Sequence, residues 1–181
     1  MSILQDLSGR KGWIVIIVCV ILGLGYWLYR HRDRTLPPIV LKDSDGQEVT
    51  FEAMRAGKDH TVMVFLLPGC PISKFSMGVV KEQHAKLSGQ LSFVGLLVGK
   101  QPAADRMVED EELEFPVYGL HDGTDPFAIN ELIDAVGSSE GLRTMVYGGT
   151  VIVVNPDRKI VINLARDEVR ELPEELAELV N

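Results

Sequence analysis

The sequence has only two cysteines, and their positions limit the disulfide chemistry open to the chain. Cys19 lies inside an apolar stretch near the N-terminus, so the rest of the chain carries the single thiol of Cys70. One thiol cannot form a disulfide within its own domain, which excludes a fold held together by disulfides and removes the usual compositional marker of an oxidising compartment. Internal repeats and low-complexity tracts are also absent. The 181 residues are enough for one domain of ordinary size plus an appendage.

Basic residues are scarce after residue 34. Residues 1–34 carry five basic and two acidic residues, a balance of +3, whereas the remainder carries 13 basic and 24 acidic residues, a balance of −11. Nucleic-acid phosphates need a basic protein surface, so the acidic remainder predicts that nucleic acid is not a partner.

The only long apolar run, at 13–29, has no charged residue and has aromatic residues at both ends. As a helix, its 17 residues reach about 25 Å, near the lower limit for crossing a bilayer. We therefore predict a tail at 1–12, a single-pass membrane anchor at 13–29, a linker at 30–37 and a domain at 38–181. Two basic residues precede the run and three follow it, so the positive-inside rule leaves the orientation open.

Three other interpretations of this run fit less well. A cleaved signal peptide needs small residues at its cleavage site, yet the first alanine of the chain is Ala53. Cys19 follows Val18, which does not match a lipoprotein signal. A buried core helix is disfavoured by the N-terminal position and the basic flanks.

Beyond the linker, apolar and amphipathic segments alternate. The predicted strands lie at 39–41, 47–51, 61–67, 91–98, 115–118, 149–155 and 159–164. The predicted helices lie at 73–87, with Phe75, Val79 and His84 on its less polar side, at 103–114, at 125–136 with Asp125 as N-cap, and at 169–180. This order predicts an α/β sandwich around one mixed sheet.

Cys70 is the residue with the most chemical interest. It follows a buried strand and Pro68-Gly69, and it precedes a helix in which Pro71 suits the first turn. Open α/β sheets place their sites at the carboxyl ends of strands, and a helix N-terminus stabilises a thiolate. The position therefore predicts a nucleophilic thiol with a lowered pKa. A structural cysteine that packs as a small apolar residue fits this turn less well.

These residues resemble the thioredoxin-like superfamily, and most closely its membrane-anchored redoxin branch of TlpA-like and peroxiredoxin-related proteins. Over about 36–181, the hairpin at 38–46, the strand into Cys70-Pro-Ile-Ser73 and the strand-turn-strand at 150–160 match that branch. The resemblance implies a thioredoxin-like three-layer sandwich with a central mixed sheet. It also implies a domain outside the cytoplasm, as in the periplasm of a bacterial inner membrane.

The site departs from the family pattern at several positions. Ser73 replaces the second cysteine, and Gly149 stands near the cis-proline that receives the substrate backbone in the family. Val64 stands where thioredoxin has a buried acid, and Leu67 stands where a peroxiredoxin has Thr or Ser. The resemblance thus implies a degenerate Cys-x-x-Ser site that lacks the two-cysteine cycle.

The leading hypothesis is a membrane-anchored protein that uses Cys70 in thiol–disulfide exchange or redox-linked maturation of a protein partner. Cys70 and Ser73 are the predicted catalytic residues: Ser73 caps the helix or donates a hydrogen bond to the thiolate. The resemblance implies that Pro71, Gly149 and Thr150 bind the substrate. No cofactor is expected.

Two alternatives remain. A catalytically degenerate thioredoxin-like domain would serve as a partner-binding or assembly module at the membrane, for which an acidic surface that docks a basic partner is suited. A soft cation such as Cu(I) could bind Cys70 with His121, Met63 or Met77, but one thiolate makes a poor site, and we predict no metal.

Overall fold

The computed structural model describes residues 17–20, 34–121, 126–136 and 148–180, and the chain divides into two units, Met1–Asp33 and Arg34–Asn181. In the first unit, residues 17–20 form a helical turn in which Ile17, Val18 and Val20 are exposed. No helix among the described residues is both long and apolar enough to cross a membrane. Apart from 17–20, the predicted anchor at 13–29 lies outside the described residues.

The second unit contains a mixed β-sheet with helices on both faces. Its strands are β1 (Val40–Lys42), β2 (Glu48–Thr50), β3 (Thr61–Leu66), β4 (Ser92–Leu97), β5 (Val117–Gly119), β6 (Val151–Val154) and β7 (Ile160–Leu164). Its helices are α1 (Phe51–Arg55), α2 (Pro71–Leu87), α3 (Gln101–Asp110), α4 (Pro126–Val136) and α5 (Leu172–Val180), with a 3-10 helix at Arg166–Glu171.

The main sheet has the order β5-β4-β3-β6-β7. Strands β3, β4 and β5 are parallel to one another, whereas β6 runs antiparallel to both β3 and β7. Strands β1 and β2 form a separate antiparallel hairpin. The predicted α/β architecture with one mixed sheet is confirmed.

Each face of the main sheet is covered by its own apolar cluster. Alternate residues of β3 point to opposite faces, and all six are buried. Val62, Val64 and Leu66 pack in the cluster that also contains buried residues of α2, α3 and α5. Met63 and Phe65 pack in the opposite cluster, with residues of the β1-β2 hairpin, α1 and α4. This double coverage explains why β3 and β4 read as continuous apolar runs.

The segment after β2 corrects one prediction. We expected a strand through residue 51, but Phe51 begins helix α1, because the side chain of Thr50 accepts a hydrogen bond from the Ala53 N–H at 3.4 Å and caps the helix. The predicted C-terminal helix is also divided, since residues before Leu172 form the 3-10 helix. The predicted N-cap Asp125 lies outside the described residues.

The second unit begins with a segment that is hydrogen-bonded to the β6–β7 turn. The N–H of Leu36 donates to the carbonyl of Arg158 at 2.7 Å, and the N–H of Ile160 donates to the carbonyl of Arg34 at 2.8 Å. The guanidinium of Arg158 donates two further bonds to the carbonyl of Leu36, at 2.6 and 3.1 Å. Residues 34–36 therefore pair with the residues just before and at the start of β7, through an isolated bridge between Thr35 and Lys159.

Candidate functional site

A tight turn carries the chain from the end of β3 into α2 and places Cys70 at the helix start. The Cys70 N–H donates to the Leu67 carbonyl at 3.1 Å, and Gly69, third in this four-residue turn, has φ +72°. Pro68 in second place and a glycine with positive φ in third place are the residues that a type II turn requires. Cys70 is the N-cap of α2, and its carbonyl accepts the first helical hydrogen bond, from the Lys74 N–H at 3.1 Å.

The environment of Cys70 lowers the pKa of its thiol. The largest cause is the backbone N–H of Ser73, which stabilises the thiolate, and the N–H of Ile72 and the Ser73 hydroxyl act in the same direction. Partial burial opposes them by disfavouring the charged form. The Cys70 sulfur accepts no capping hydrogen bond, so the N–H groups of Ser73 and Ile72 act on the thiolate as nearby donors, and Cys70 is only partly buried. The thiol is thus accessible, and its reactive form is favoured.

Ser73 connects the turn to the thiol. Its side chain is 3% exposed, and its hydroxyl oxygen accepts a hydrogen bond from the Leu67 N–H at 2.9 Å. The hydroxyl proton remains to interact with the Cys70 thiolate, whose pKa it helps to lower. Ser73 therefore fixes the turn that holds Cys70, but it does not cap α2, whose N-cap is Cys70.

The segment Gly148–Thr150 lies against the first turns of α2. Hydrogen bonds tie it to the end of β3: the Gly149 N–H donates to the Phe65 carbonyl at 2.6 Å, and the Phe65 N–H donates to the Thr150 carbonyl at 2.8 Å. A Cβ at Gly148 would meet the hydroxyl of Ser73. A Cβ at Gly149, where φ is +98°, would lie 2.7 Å from Cγ2 of Ile72. Only glycine permits this approach.

The three predicted substrate-binding residues therefore have different surroundings. Gly149 is buried beside Ile72, which lies two residues after Cys70. Thr150 is 4% exposed, and its carbonyl is paired with β3. Pro71 is exposed at the first position of α2. Pro71 is thus the one that a partner can reach directly.

Three apolar residues close to Cys70 in the sequence are exposed on the surface. Leu67, Ile72 and Phe75 are 42%, 39% and 41% exposed, respectively. Ile72 and Phe75 also line a shallow groove of about 330 Å³ that is shared with the 3-10 helix. The residues lining this groove are Pro71, Ile72, Phe75, Arg166, Asp167 and Arg170.

This exposed patch was not predicted from the sequence. We placed Phe75 on the less polar side of α2, but the helix buries Ser73, Ser76, Met77, Val80 and Gln83 instead. The sequence feature that indicates which face of α2 is buried is the pair of small residues Ser73 and Ser76. They fit beneath Gly148 and Gly149, where an aromatic ring would not. The contribution of Arg166 and Arg170 could not be seen in the sequence, because they come from the distant 3-10 helix.

The residues considered for a soft-metal site are not brought together. Met63 and Met77 are both buried, but they pack in the clusters on opposite faces of the main sheet. His121 is exposed in a turn, and its N–H donates to the carbonyl of Gly99. Val64, at the position of the thioredoxin acid, is fully buried among apolar side chains.

Comparisons of the sequence alone identify no relative: no protein-family model matches it, and neither does any curated protein. The structure, in contrast, resembles many solved structures. One is a thiol:disulfide interchange protein from Bacteroides sp., with 16% identity and a TM-score of 0.62 over 82% of this chain and 90% of that one.

Two further structures show the range of the resemblance. The thioredoxin domain of a thiol-disulfide oxidoreductase from Bacteroides vulgatus has 18% identity and a TM-score of 0.59 over 81% of this chain and 96% of that one. BsSco, a member of the Sco family of cytochrome c oxidase assembly proteins, has 13% identity and a TM-score of 0.60 over 83% and 95%. At these identities the resemblance concerns the fold. The strand order, the helix that starts at Cys70 and these structural neighbours together show that the chain has the thioredoxin-like fold.

Proposed function

We propose that this protein performs thiol–disulfide exchange through the single thiol of Cys70, and that residues 13–29 anchor it in a membrane. The observation that carries the proposal is the environment of Cys70. The thiol is partly exposed at the start of α2, and the N–H groups of Ser73 and Ile72 lower its pKa. A thiolate in such a position is the attacking species in disulfide exchange.

The exchange would proceed in two steps. The Cys70 thiolate attacks one sulfur of a disulfide in a protein partner, so that a mixed disulfide forms and the second partner sulfur leaves as a thiolate. Because Ser73 occupies the place of a resolving cysteine, the mixed disulfide persists until an external thiol attacks it. That attack joins the external sulfur to the partner and restores the Cys70 thiolate.

The proposal is tested by titrating Cys70 in the full-length chain carrying Cys19→Ser. Thiolate absorbance and the rate of alkylation by iodoacetamide should both rise with a midpoint below the pKa of an ordinary thiol. The same chain with Cys70→Ser should show neither transition. Incubation with bis(2-hydroxyethyl) disulfide should leave one mercaptoethanol per chain, visible by mass spectrometry and removed by dithiothreitol. An ordinary pKa together with no mixed disulfide would contradict the proposal.

A second candidate is favoured by the exposed apolar side chains around Cys70. Leu67, Ile72 and Phe75 form a surface suited to binding a partner, whether or not the thiol reacts. In that case the protein is a binding or assembly module at the membrane. Cys70→Ser would leave its cellular function intact, whereas Phe75→Glu would abolish it; exchange activity predicts that Cys70→Ser alone is enough to abolish it.

A further inference from the structure

The groove beside Cys70 combines an apolar floor with a basic wall. Pro71 and Ile72, which directly follow the reactive cysteine, begin the floor, and Phe75 continues it along α2. Arg166, Asp167 and Arg170 of the 3-10 helix form the opposite wall. A volume of about 330 Å³ suits side chains of an extended segment and is too small for a folded element.

Exposed apolar residues are concentrated near Cys70: Ile72 and Phe75 line the groove, and Leu67 precedes Cys70 without lining it. The described part of the second unit has five large hydrophobic residues that are exposed, and three of them lie within residues 67–75. Clustering of this kind, next to a reactive group, marks a contact surface more strongly than scattered apolar residues do.

The charge of the wall differs from that of the domain around it. Two arginines and one aspartate give the groove a balance of +1, within a region whose total balance is −11. Arg170 forms no ion pair among the described residues, and its guanidinium carbon lies 5.6 Å from the centre of the Phe75 ring. The ring attracts the cation and holds it at the groove.

We propose that this groove recognises an extended segment of the protein partner in which acidic residues lie beside the reactive cysteine. The inference rests on the proposed function and specifies its partner. An apolar side chain of the segment would lie on Ile72 and Phe75, while its carboxylate would accept hydrogen bonds from Arg170. A membrane surface fits less well, because lipid recognition uses clusters of about four to eight basic residues.

The test measures binding without chemistry, in the full-length chain carrying Cys70→Ser in a neutral detergent. Three labelled peptides have an apolar residue and a serine in place of the reactive cysteine, followed by two glutamates, two glutamines or two lysines. Fluorescence anisotropy at low salt should show the glutamate peptide binding roughly threefold to tenfold more tightly than the lysine peptide. High salt should reduce this preference.

Charge-reversal variants assign the preference to the groove. Arg170→Glu should invert it, and Arg170→Gln should remove most of it. Lys42→Glu makes the same change in sign on β1, which packs with the cluster on the other face of the sheet, and should leave the preference unchanged.

The outcomes separate this inference from the function on which it rests. Equal affinities for the three peptides, or a preference that survives Arg170→Glu, would overturn the groove as the recognition site. Binding to phosphatidylglycerol vesicles that depends on Arg170, without any peptide preference, would overturn it in favour of a membrane surface. If the preference is present but wild-type Cys70 has an ordinary pKa and forms no mixed disulfide, the groove is confirmed as the recognition site and the exchange function is contradicted.

Discussion

The ionisation of Cys70 depends mainly on backbone groups. The N–H of Ser73 is the largest cause of the lowered pKa, and the hydroxyl of Ser73 is the smallest of the favourable causes. Side-chain substitutions in this turn therefore change the pKa little as long as the turn itself is preserved. The hydroxyl of Ser73 has a second role, since it is the acceptor for the Leu67 N–H. This division predicts that position 73 matters more to stability than to acidity.

Ser73→Ala tests that division. Removing the hydroxyl leaves the Leu67 N–H without its acceptor, which should lower the free energy of unfolding by about 1 to 3 kcal/mol. The pKa of Cys70 should rise slightly, because one group that stabilises the thiolate is lost. A lowered pKa stabilises the fold above the pKa of the unfolded thiol, and this contribution fades as the pH falls. Denaturant unfolding should therefore show a slightly larger loss at alkaline pH.

Ser76→Ala is the matched control, one turn further along α2. The hydroxyl of Ser76 is buried and makes no hydrogen bond, so its removal leaves no partner unsatisfied. The variant should be as stable as the parent chain or slightly more stable. Equal destabilisation by the two substitutions would mean that the hydrogen bond to Leu67 has no special role.

At the scale of the elements, the sequence predicts segments well where the hydrophobic pattern is strong. The apolar runs of β3, β4 and β6 were located to within two residues, as was the start of α2. The strand predicted at 47–51 matches β2 to within one residue at each end, but helix α1 was not predicted, because the side-chain cap of Thr50 decides that Phe51 begins a helix. Periodicity does not register a single capping bond of this kind.

The candidate site was predictable only in part, for a related reason. Cys70 is recognisable from its strand, turn and helix, which are local features. The exposure of Phe75 is not local, since it results from Gly148 and Gly149 packing against the other side of α2. Two glycines far along the chain thus determine which face of the helix is buried, and the only local sign of them in α2 is the pair of small residues Ser73 and Ser76.

Gly149→Ala tests this packing between the segment before β6 and α2. The backbone at Gly149 has φ +98°, and a Cβ there would lie 2.7 Å from Cγ2 of Ile72 and 2.9 Å from the hydroxyl of Ser76. The conformational strain and the overlap together should lower the free energy of unfolding by about 2 to 4 kcal/mol. Displacement of Ile72 should also move the pKa of Cys70 back toward its ordinary value, as measured by the alkylation rate.

Gly46→Ala separates the conformational strain from the steric overlap. Gly46 has φ +76° but nothing within 4 Å of an added Cβ, so only the conformational cost of about 1 kcal/mol applies. Its Cys70 alkylation profile should match that of the parent chain. If Gly149→Ala costs no more than Gly46→Ala, the close approach to α2 is not a constraint on the site.

At the scale of the whole domain, the Cys70 site and the hydrogen bonds that hold residues 34–36 to the sheet lie at opposite ends of β6. Strand β6 begins next to Gly149 and Thr150, beside the thiol, and it ends at Val154, where the turn to β7 binds the segment at Arg34–Leu36. Arg158 stands at this far end with φ +64°, and its guanidinium donates twice to the Leu36 carbonyl. Substitutions at Arg158 should therefore affect stability and leave the thiol unchanged.

Arg158→Ala should lower the free energy of unfolding by about 2 kcal/mol, because charged hydrogen bonds to a carbonyl are lost. For a domain of this size, Tm should fall by roughly 4 to 8 °C. Hydrogen exchange should accelerate at the amides of Leu36 and Ile160, which pair across this edge. The Gly149 amide, at the other end of β6, should keep its protection.

Arg158→Gly separates the loss of the hydrogen bonds from the strain of the left-handed backbone as causes of the destabilisation. Glycine loses the same hydrogen bonds but relieves the left-handed backbone, so it should recover about 1 kcal/mol relative to alanine. The Cys70 alkylation profile should be unchanged in both variants, since neither alters the first turn of α2. If the Gly149 amide loses as much protection as those of Leu36 and Ile160, the two ends of the sheet open together, and the separation of site from edge does not hold.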